Sequence, residues 1–78
     1  MDRRFQEGLA GILSVSPDSL TDDFELNDQN WDSLVLISAI ALIDQTYGLT
    51  VPTAKLANCR SAGEAAALVE SIRREKSR

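Results

Sequence analysis

The chain has 78 residues, 44% of them hydrophobic, and a formal net charge of −4. We expect residues 1–78 to form one domain, because this length leaves no room for a separate catalytic domain. The longest apolar run is far shorter than the roughly 20 residues that span a bilayer, and the N-terminus lacks a signal-peptide apolar region, so we expect a cytoplasmic protein without membrane contact.

Hydrophobic periodicity predicts a first helix over about Asp2 to Ser14. Its apolar residues recur at the i, i+4, i+7 and i+8 spacing of one buried face, at Phe5, Leu9, Ile12 and Leu13. Pro17 should end this helix, since the residue before a proline avoids helical geometry. A second helix is predicted from Ser33 to Tyr47, with Gly48 at its C′ position.

Two further helices are predicted after Gly48. A short turn follows Pro52, with Thr53 as its N-cap and residues 54–57 as its body. The fourth helix begins at Ser61, which forms an S-x-x-E capping box with Glu64. One stripe of this helix is apolar: Ala65, Leu68, Val69 and Ile72. Together these elements predict an all-α fold, a small four-helix bundle with three main helices and one short one.

Ser33 lies where an acidic loop meets an unusually apolar helix. Residues 21–31 are mostly turn and cap formers, whereas residues 34–43 contain a single polar residue. Unpaired backbone N–H groups and the helix dipole at such a junction favour a bound or covalently attached phosphate. The placement therefore indicates a serine that carries a phosphate group rather than one that attacks a substrate.

The residues just before Ser33 have structural interpretations as well. Asp32 is expected to cap the helix by accepting a backbone N–H, an interaction worth about 1 kcal/mol. A role in placing the serine hydroxyl is compatible with that cap. Trp31 is expected to pack beneath the loop, as a hydrophobic staple against Val35, rather than lie exposed.

The second helix has more apolar surface than one core face needs. Its natural core stripe follows the helical period at Leu36, Ile40, Ile43 and Tyr47. A second apolar group lies on a neighbouring face beside Ser33, at Leu34, Ile37 and Ala41. This second group is either further core or a partly exposed docking face, and its position next to Ser33 favours docking.

Charge is unevenly distributed along the chain. No Lys or Arg lies between Phe5 and Ala54, and the acidic residues of that stretch are Glu7, Asp18, Asp22, Asp23, Glu25, Asp28, Asp32 and Asp44. Such a field repels nucleic acid and anionic membranes and attracts basic protein surfaces. We therefore expect basic protein partners. Acidic loops that only keep a small domain soluble explain the pattern equally well.

The composition argues against catalysis. Histidine is absent, which excludes Ser-His-Asp and Cys-His chemistry. The chain also lacks a nucleophile elbow, a phosphate-binding loop, a Cys or His metal cluster and EF-hand spacing, so we predict neither an enzyme nor a metal site. The only cysteine, Cys59, precedes Arg60 and a helix start, which should lower its thiol pKa modestly. It fits a reducing compartment and is interpreted as an incidental thiol.

These features together resemble the acyl carrier protein family, small helical domains that carry acyl groups as thioesters on a 4′-phosphopantetheine arm attached to a serine. The tripeptide Asp32-Ser33-Leu34 matches the attachment motif of that family. The resemblance runs from about Phe5 to Ile72. It includes apolar positions of the second helix and the residues that close it, at Ile37, Ile40, Ile43, Tyr47-Gly48 and Val51-Pro52.

The resemblance implies an acyl-carrier-type bundle, in which Ser33 holds the 4′-phosphopantetheine cofactor and Asp32 and Leu34 flank it. It implies a phosphopantetheinyl transferase as one partner. The other partners would be acyl ligases, synthases or acyltransferases with basic docking surfaces, which grip such carriers along the second helix. The cargo, whether fatty acyl, polyketide or aminoacyl, is left open, and a monomer is expected.

One departure from the family pattern narrows the kind of carrier that we expect. Fatty-acid carriers have acidic residues just after the motif and one turn into the helix, where this chain has Val35 and Ser38. We therefore expect a specialised, free-standing carrier of a lipid or secondary-metabolite pathway, with acidic recognition shifted to the loop at Asp22, Asp23, Glu25 and Asp28. The alternative, of another class, is an unmodified helical adaptor that docks partners through Leu34, Ile37 and Ala41.

Overall fold

The computed structural model describes residues 2–76. This part of the chain folds into α1 (Arg3–Leu13), α2 (Ser33–Tyr47), α3 (Thr53–Ala57) and α4 (Ala62–Lys76), with a 3-10 turn at Pro17–Ser19. The predicted all-α bundle is confirmed, and the only strand-like pairing among these residues is an isolated bridge between Glu25 and Ser61. None of the described helices is both long and apolar enough to cross a membrane.

The ends of the first two helices are set by cap residues next to them in the sequence. Asp2 caps α1 by accepting the Arg4 N–H at 2.8 Å, and Ser14 ends it in the left-handed conformation, at φ 60°. The predicted bounds of α2 are confirmed at both ends. Gly48 closes α2 at φ 67°, a conformation that glycine adopts without steric cost, and donates its N–H to the Asp44 carbonyl at 2.7 Å.

The last two helices differ in detail from the prediction. The cap assigned to Thr53 is wrong: Pro52 is the extended cap residue of α3, so Thr53 lies inside the helix. The Ser61 hydroxyl accepts the Glu64 N–H at 3.1 Å, as predicted, but the Glu64 carboxylate accepts the N–H of Arg60, at 3.4 Å, rather than that of Ser61. The predicted α4 stripe faces the core, with its members Ala65 and Val69 buried and Leu68 and Ile72 partly buried.

One hydrophobic core joins the helices and the loops between them. Its largest fully buried side chains are Phe5, Leu9, Leu20, Ile43 and Leu56. The expected α1 face is wrong at Ile12, which is only partly buried, whereas Ala10 is fully buried. Because α1 packs against both α2 and the 3-10 turn, its buried surface extends around the helix toward Ala10.

The loop between α1 and α2 is held against the start of α4 by backbone hydrogen bonds. Leu26 N–H donates to the Arg60 carbonyl, and Ala62 N–H donates to the Phe24 carbonyl, both at 2.9 Å. A third bond runs from Gly63 N–H to the Asp22 carbonyl at 3.0 Å. The approach is so close that a Cβ on Gly63 would lie 2.8 Å from the Asp22 carbonyl oxygen. Glycine is therefore required at residue 63.

The far end of α2 is held by α4. The Arg73 guanidinium lies over the Tyr47 ring, 5.0 Å from its centroid, a cation–π contact. The Lys76 ammonium donates to the Gly48 carbonyl at 3.4 Å. The basic end of α4 thus stabilises the C-terminus of a neighbouring helix, where a positive charge is favourable.

The contact at Gly63 leads to a stability prediction with a matched control. Gly63→Ala should lower the free energy of unfolding by about 1–3 kcal/mol, because the new methyl group must displace the Asp22 backbone. Gly11→Ala adds the same group to a helix position with nothing within 4 Å, and should raise the free energy by about 0.5–1 kcal/mol. Urea unfolding of both variants measures the difference. Equal stabilisation by both would contradict the close approach of the loop.

Candidate functional site

Ser33 is the first residue of α2, and its side chain is exposed. The preceding residue, Asp32, is the N-cap: its carboxylate accepts the Val35 N–H at 3.0 Å, and its carbonyl accepts the Leu36 N–H at 2.9 Å. The predicted capping role of Asp32 is confirmed. With the carboxylate bound to its own helix, the first turn of α2 is fixed and the Ser33 hydroxyl lies at the edge of that turn.

The backbone around Ser33 suits a phosphate ester. The N–H groups of Ser33 and Leu34 have no hydrogen-bond acceptor within residues 2–76, and the Ser33 hydroxyl likewise makes no hydrogen bond there. Free first-turn N–H groups at the positive end of a helix dipole stabilise a negatively charged group. The residues present therefore fit a phosphate attached to Ser33.

The two apolar groups of α2 occupy different environments. In the predicted core stripe, Leu36 and Ile43 are buried, and Ile40 and Tyr47 are partly buried against the core. Ala39 is also fully buried, which the pattern did not predict because alanine contributes little hydrophobic signal.

The second apolar group is exposed to solvent. The exposed fraction is 77% for Leu34 and 64% for Ile37, and Ala41 is exposed as well. The interpretation of this group as further core is therefore wrong. Its exposure is confirmed, while its role in docking stays a prediction.

The acidic loop residues are also presented to solvent. Asp22, Asp23 and Glu25 are exposed, and the ion pairs identified within residues 2–76 do not involve them. The backbone around them is fixed by the hydrogen bonds to α4. The loop therefore presents these carboxylates to solvent on a fixed backbone.

Two tertiary features beside the loop were not predicted. Trp31 is buried, as expected, but its indole N–H donates to the Leu56 carbonyl in α3 at 2.9 Å. Trp31, Cys59 and Arg60 line an open cleft of about 400 Å³ between the loop and the turn after α3. The two bonded residues are 25 positions apart, so the residues around Trp31 in the sequence do not indicate this hydrogen bond. The sequence offers one hint, because a buried tryptophan usually needs an acceptor for its indole N–H.

Cys59 differs from its sequence-based interpretation. It is 8% exposed, and its thiol donates to the Lys55 carbonyl at 3.6 Å. Burial raises the pKa of this thiol, and the negative charge of Glu64 adds to the effect. The expected lowering of the pKa is wrong, because burial and the charge of Glu64 both act in the opposite direction. The described residues contain no cluster of His, Cys, Asp and Glu suited to a metal ion.

The comparison with family models identifies the kind of protein. The model described as phosphopantetheine attachment site matches residues 3–69. The chain therefore belongs to this family of carrier domains, which confirms the resemblance drawn from the sequence. Comparison with curated proteins and with solved structures gives no match.

Membership of the family defines the cofactor and the general class of partner. Domains of the family carry a 4′-phosphopantetheine prosthetic group. Phosphopantetheinyl transferases modify them, and synthases or ligases interact with them, while the carrier domains are not themselves catalysts.

The contrast between the two faces of α2 is testable by truncation. Ile43→Ala should lower the free energy of unfolding by about 2–5 kcal/mol, because Ile43 is fully buried. Ile37→Ala removes the same atoms from an exposed position and should cost less than about 1 kcal/mol. Thermal or urea unfolding provides both values. Similar losses in the two variants would place Ile37 in the core.

The environment of Cys59 predicts low thiol reactivity. At about pH 8, iodoacetamide should alkylate the folded chain at least tenfold more slowly than the chain unfolded in urea, because a raised pKa leaves less thiolate and burial blocks access. Intact mass over time follows the reaction, and Cys59→Ala, which cannot react, identifies the thiol. Equal rates in the folded and unfolded chains would contradict the burial of Cys59.

Proposed function

We propose that this chain carries acyl or aminoacyl groups as thioesters on a 4′-phosphopantetheine arm attached to Ser33. The observation that supports this most directly is the exposed Ser33 hydroxyl at the start of α2, beside free N–H groups and within the matched residues 3–69. When bound, the arm supplies a terminal thiol that holds the cargo as a thioester. The protein supplies the position and the surface that partners recognise.

Attachment to Ser33 requires an external enzyme in this proposal. The Ser33 hydroxyl has no base bonded to it within the described residues, and Asp32 is engaged as the cap. A phosphopantetheinyl transferase, with coenzyme A and Mg²⁺, would provide the base that takes the hydroxyl proton. The Ser33 oxygen then bonds to the phosphorus that bears the pantetheine, and the phosphoanhydride bond breaks to release adenosine 3′,5′-bisphosphate.

We assign no catalytic step on the cargo to this chain. Histidine is absent from the sequence, so the commonest base for a serine or cysteine nucleophile is missing. Tethering contributes in another way, because it raises the local concentration of the cargo at each enzyme that docks on the carrier. Docking residues, rather than catalytic ones, would then determine which enzymes use the carrier.

The charge pattern supports a dedicated pathway. Val35 and Ser38 are uncharged where fatty-acid carriers have acidic residues, whereas Asp22, Asp23 and Glu25 are exposed on a fixed loop. We propose a carrier of a specialised lipid or secondary-metabolite pathway, used by acyl ligases, synthases or acyltransferases. A basic surface on such an enzyme would meet the loop carboxylates, which have no ion-pair partner among the described residues.

One observation also supports a function of another class. Large apolar side chains exposed at Leu34 and Ile37 suit an adaptor that docks partners without any modification of Ser33. The two proposals differ in whether Ser33 accepts the arm, so a mass measurement distinguishes them.

Incubation with coenzyme A, Mg²⁺ and a broad-specificity phosphopantetheinyl transferase should add one phosphopantetheine to the wild-type chain, measured as intact mass. Ser33→Ala should abolish the addition, because the accepting hydroxyl is gone. Ser38→Ala is the matched control, since Ser38 is an exposed serine of the same helix, and it should load like wild type. An unmodified wild type, with a transferase active on another carrier, would favour the adaptor, and modification in Ser33→Ala would refute the site.

A further inference from the structure

The last turn of α3 receives a hydrogen bond from the loop that leads to Ser33. The Trp31 indole N–H donates to the Leu56 carbonyl at 2.9 Å, and the Cys59 N–H donates to the same oxygen at 3.1 Å. Carbonyl groups in the last turn of a helix have no partner within that helix. Trp31 therefore supplies part of the C-terminal cap of α3 from a position two residues before Ser33.

The short helix α3 depends on contacts of this kind. It has five residues, whereas helices shorter than about 12–15 residues are marginal in water without tertiary contacts. Among the residues of α3 only Leu56 is buried, and Thr53, Ala54, Lys55 and Ala57 are exposed. Leu56 thus attaches α3 twice: its side chain lies in the core, and its carbonyl accepts the bond from Trp31.

The donor of this bond belongs to a rigid turn of the loop. The Asn27 N–H donates to the side-chain oxygen of Asn30 at 2.8 Å, and the Asn30 N–H donates to the side-chain oxygen of Asn27 at 3.2 Å. The backbone N–H of Trp31 donates to the Asn27 carbonyl at 2.8 Å. Because two residues of extended chain span at most about 7 Å, a turn that is fixed at Trp31 limits where Ser33 can lie.

We propose that Trp31 is a positioning residue for the modification of Ser33, and that it acts by coupling the attachment site to α3. This proposal rests on the proposed function, since the affected step is the one in which the Ser33 oxygen takes phosphopantetheine from coenzyme A. In that step the hydroxyl loses its proton to the transferase, and adenosine 3′,5′-bisphosphate leaves.

The physical basis of the coupling is the precision that a group transfer requires. While the indole is bonded to Leu56, the turn before Ser33 and α3 form one rigid unit, and the hydroxyl is held in a single place. Without the bond the start of α2 gains freedom to move with the loop. A displacement of only about 1 Å at a reacting atom slows a transfer strongly. Trp31 therefore affects the rate of the step although it does not touch the reacting atoms.

A tryptophan analogue removes the hydrogen bond and keeps the fused rings. Because Trp31 is the single tryptophan of the chain, expression with benzothienylalanine, in which sulfur replaces the indole N–H, changes this residue alone. The N–H groups of Asn58 and Cys59 close the last turn of α3, and their hydrogen exchange should become about fivefold faster, the ratio that corresponds to one lost hydrogen bond. Fluorotryptophan, which keeps the N–H, should restore wild-type exchange.

The effect on the transfer is measured by single-turnover loading of the full chain with a phosphopantetheinyl transferase, coenzyme A and Mg²⁺. With benzothienylalanine the maximal rate should fall about threefold to tenfold. The transferase concentration that gives half of this rate should not change, because Trp31 is only 7% exposed and offers a partner little surface. Fluorotryptophan should restore the wild-type rate.

Val69→Ala is the matched control for a general loss of stability. Val69 is buried in α4 and lines a cleft with Tyr47, at the end of α2 remote from Ser33. The variant should lower the free energy of unfolding and leave the maximal rate and the half-saturating concentration unchanged. Unfolding measurements establish that every chain is folded when it is assayed.

Each other outcome contradicts the proposal in a different way. An unchanged maximal rate overturns it, and so does a raised half-saturating concentration, because Trp31 would then contribute to binding rather than to position. An equal loss of rate in Val69→Ala overturns it as well. If the transferase loads another carrier but not the wild-type chain, attachment at Ser33 is refuted together with the positioning role. If the wild-type chain is loaded and hydrogen exchange in α3 is the same with benzothienylalanine, only the coupling is refuted.

Discussion

The hydrogen bond from the Trp31 indole to the Leu56 carbonyl positions the site. It fixes a buried side chain two residues before Ser33, and the backbone bonds from the loop to α4 fix the preceding residues. The chain must therefore leave the core between Trp31 and Ser33, and the Asp32 cap starts α2 at that point. An exposed serine hydroxyl on a rigid helix start is the result, and it depends on contacts with α3 and α4 rather than on α2 alone.

The two faces of α2 meet different physical demands. The inner face contributes fully buried Ala39 and Ile43 to a small core. A single core gives a domain of this size a net stability of only a few kcal/mol. The outer face leaves Leu34 and Ile37 in water, although burying a Leu or Ile side chain contributes about 1.5–3 kcal/mol. In a domain with so little net stability, leaving two aliphatic side chains exposed forgoes a contribution comparable to the stability itself, which agrees with the docking role predicted for them.

Local signals predicted the parts of the fold that local chemistry determines. The bounds of α2, the Asp32 cap and the left-handed Gly48 all follow from cap residues and periodicity within a few positions. The prediction was wrong where distant packing decides. Ala10 rather than Ile12 faces the core, because the buried side of α1 depends on what packs around it. Periodicity cannot contain that information.

The difference between local signals and distant packing also applies to the site. Ser33 could be singled out because a helix start after an acidic loop is visible in the sequence, and exposure of the neighbouring apolar group was favoured for the same reason. The bond of Trp31 to α3 and the raised pKa of Cys59 could not be predicted, since each depends on residues that only the folded chain brings together or buries. Electrostatic arguments from neighbours in sequence fail where desolvation is the larger effect.

The burial of Cys59 has a chemical consequence for a chain proposed to carry thioesters. A thiolate exchanges acyl groups with a thioester, so an accessible cysteine of ordinary or lowered pKa would divert cargo onto the polypeptide itself. Cys59 is 8% exposed, its thiol is bonded to the Lys55 carbonyl, and its pKa is raised. For the proposed carrier, such a thiol would be a poor acceptor of acyl groups from its own thioester.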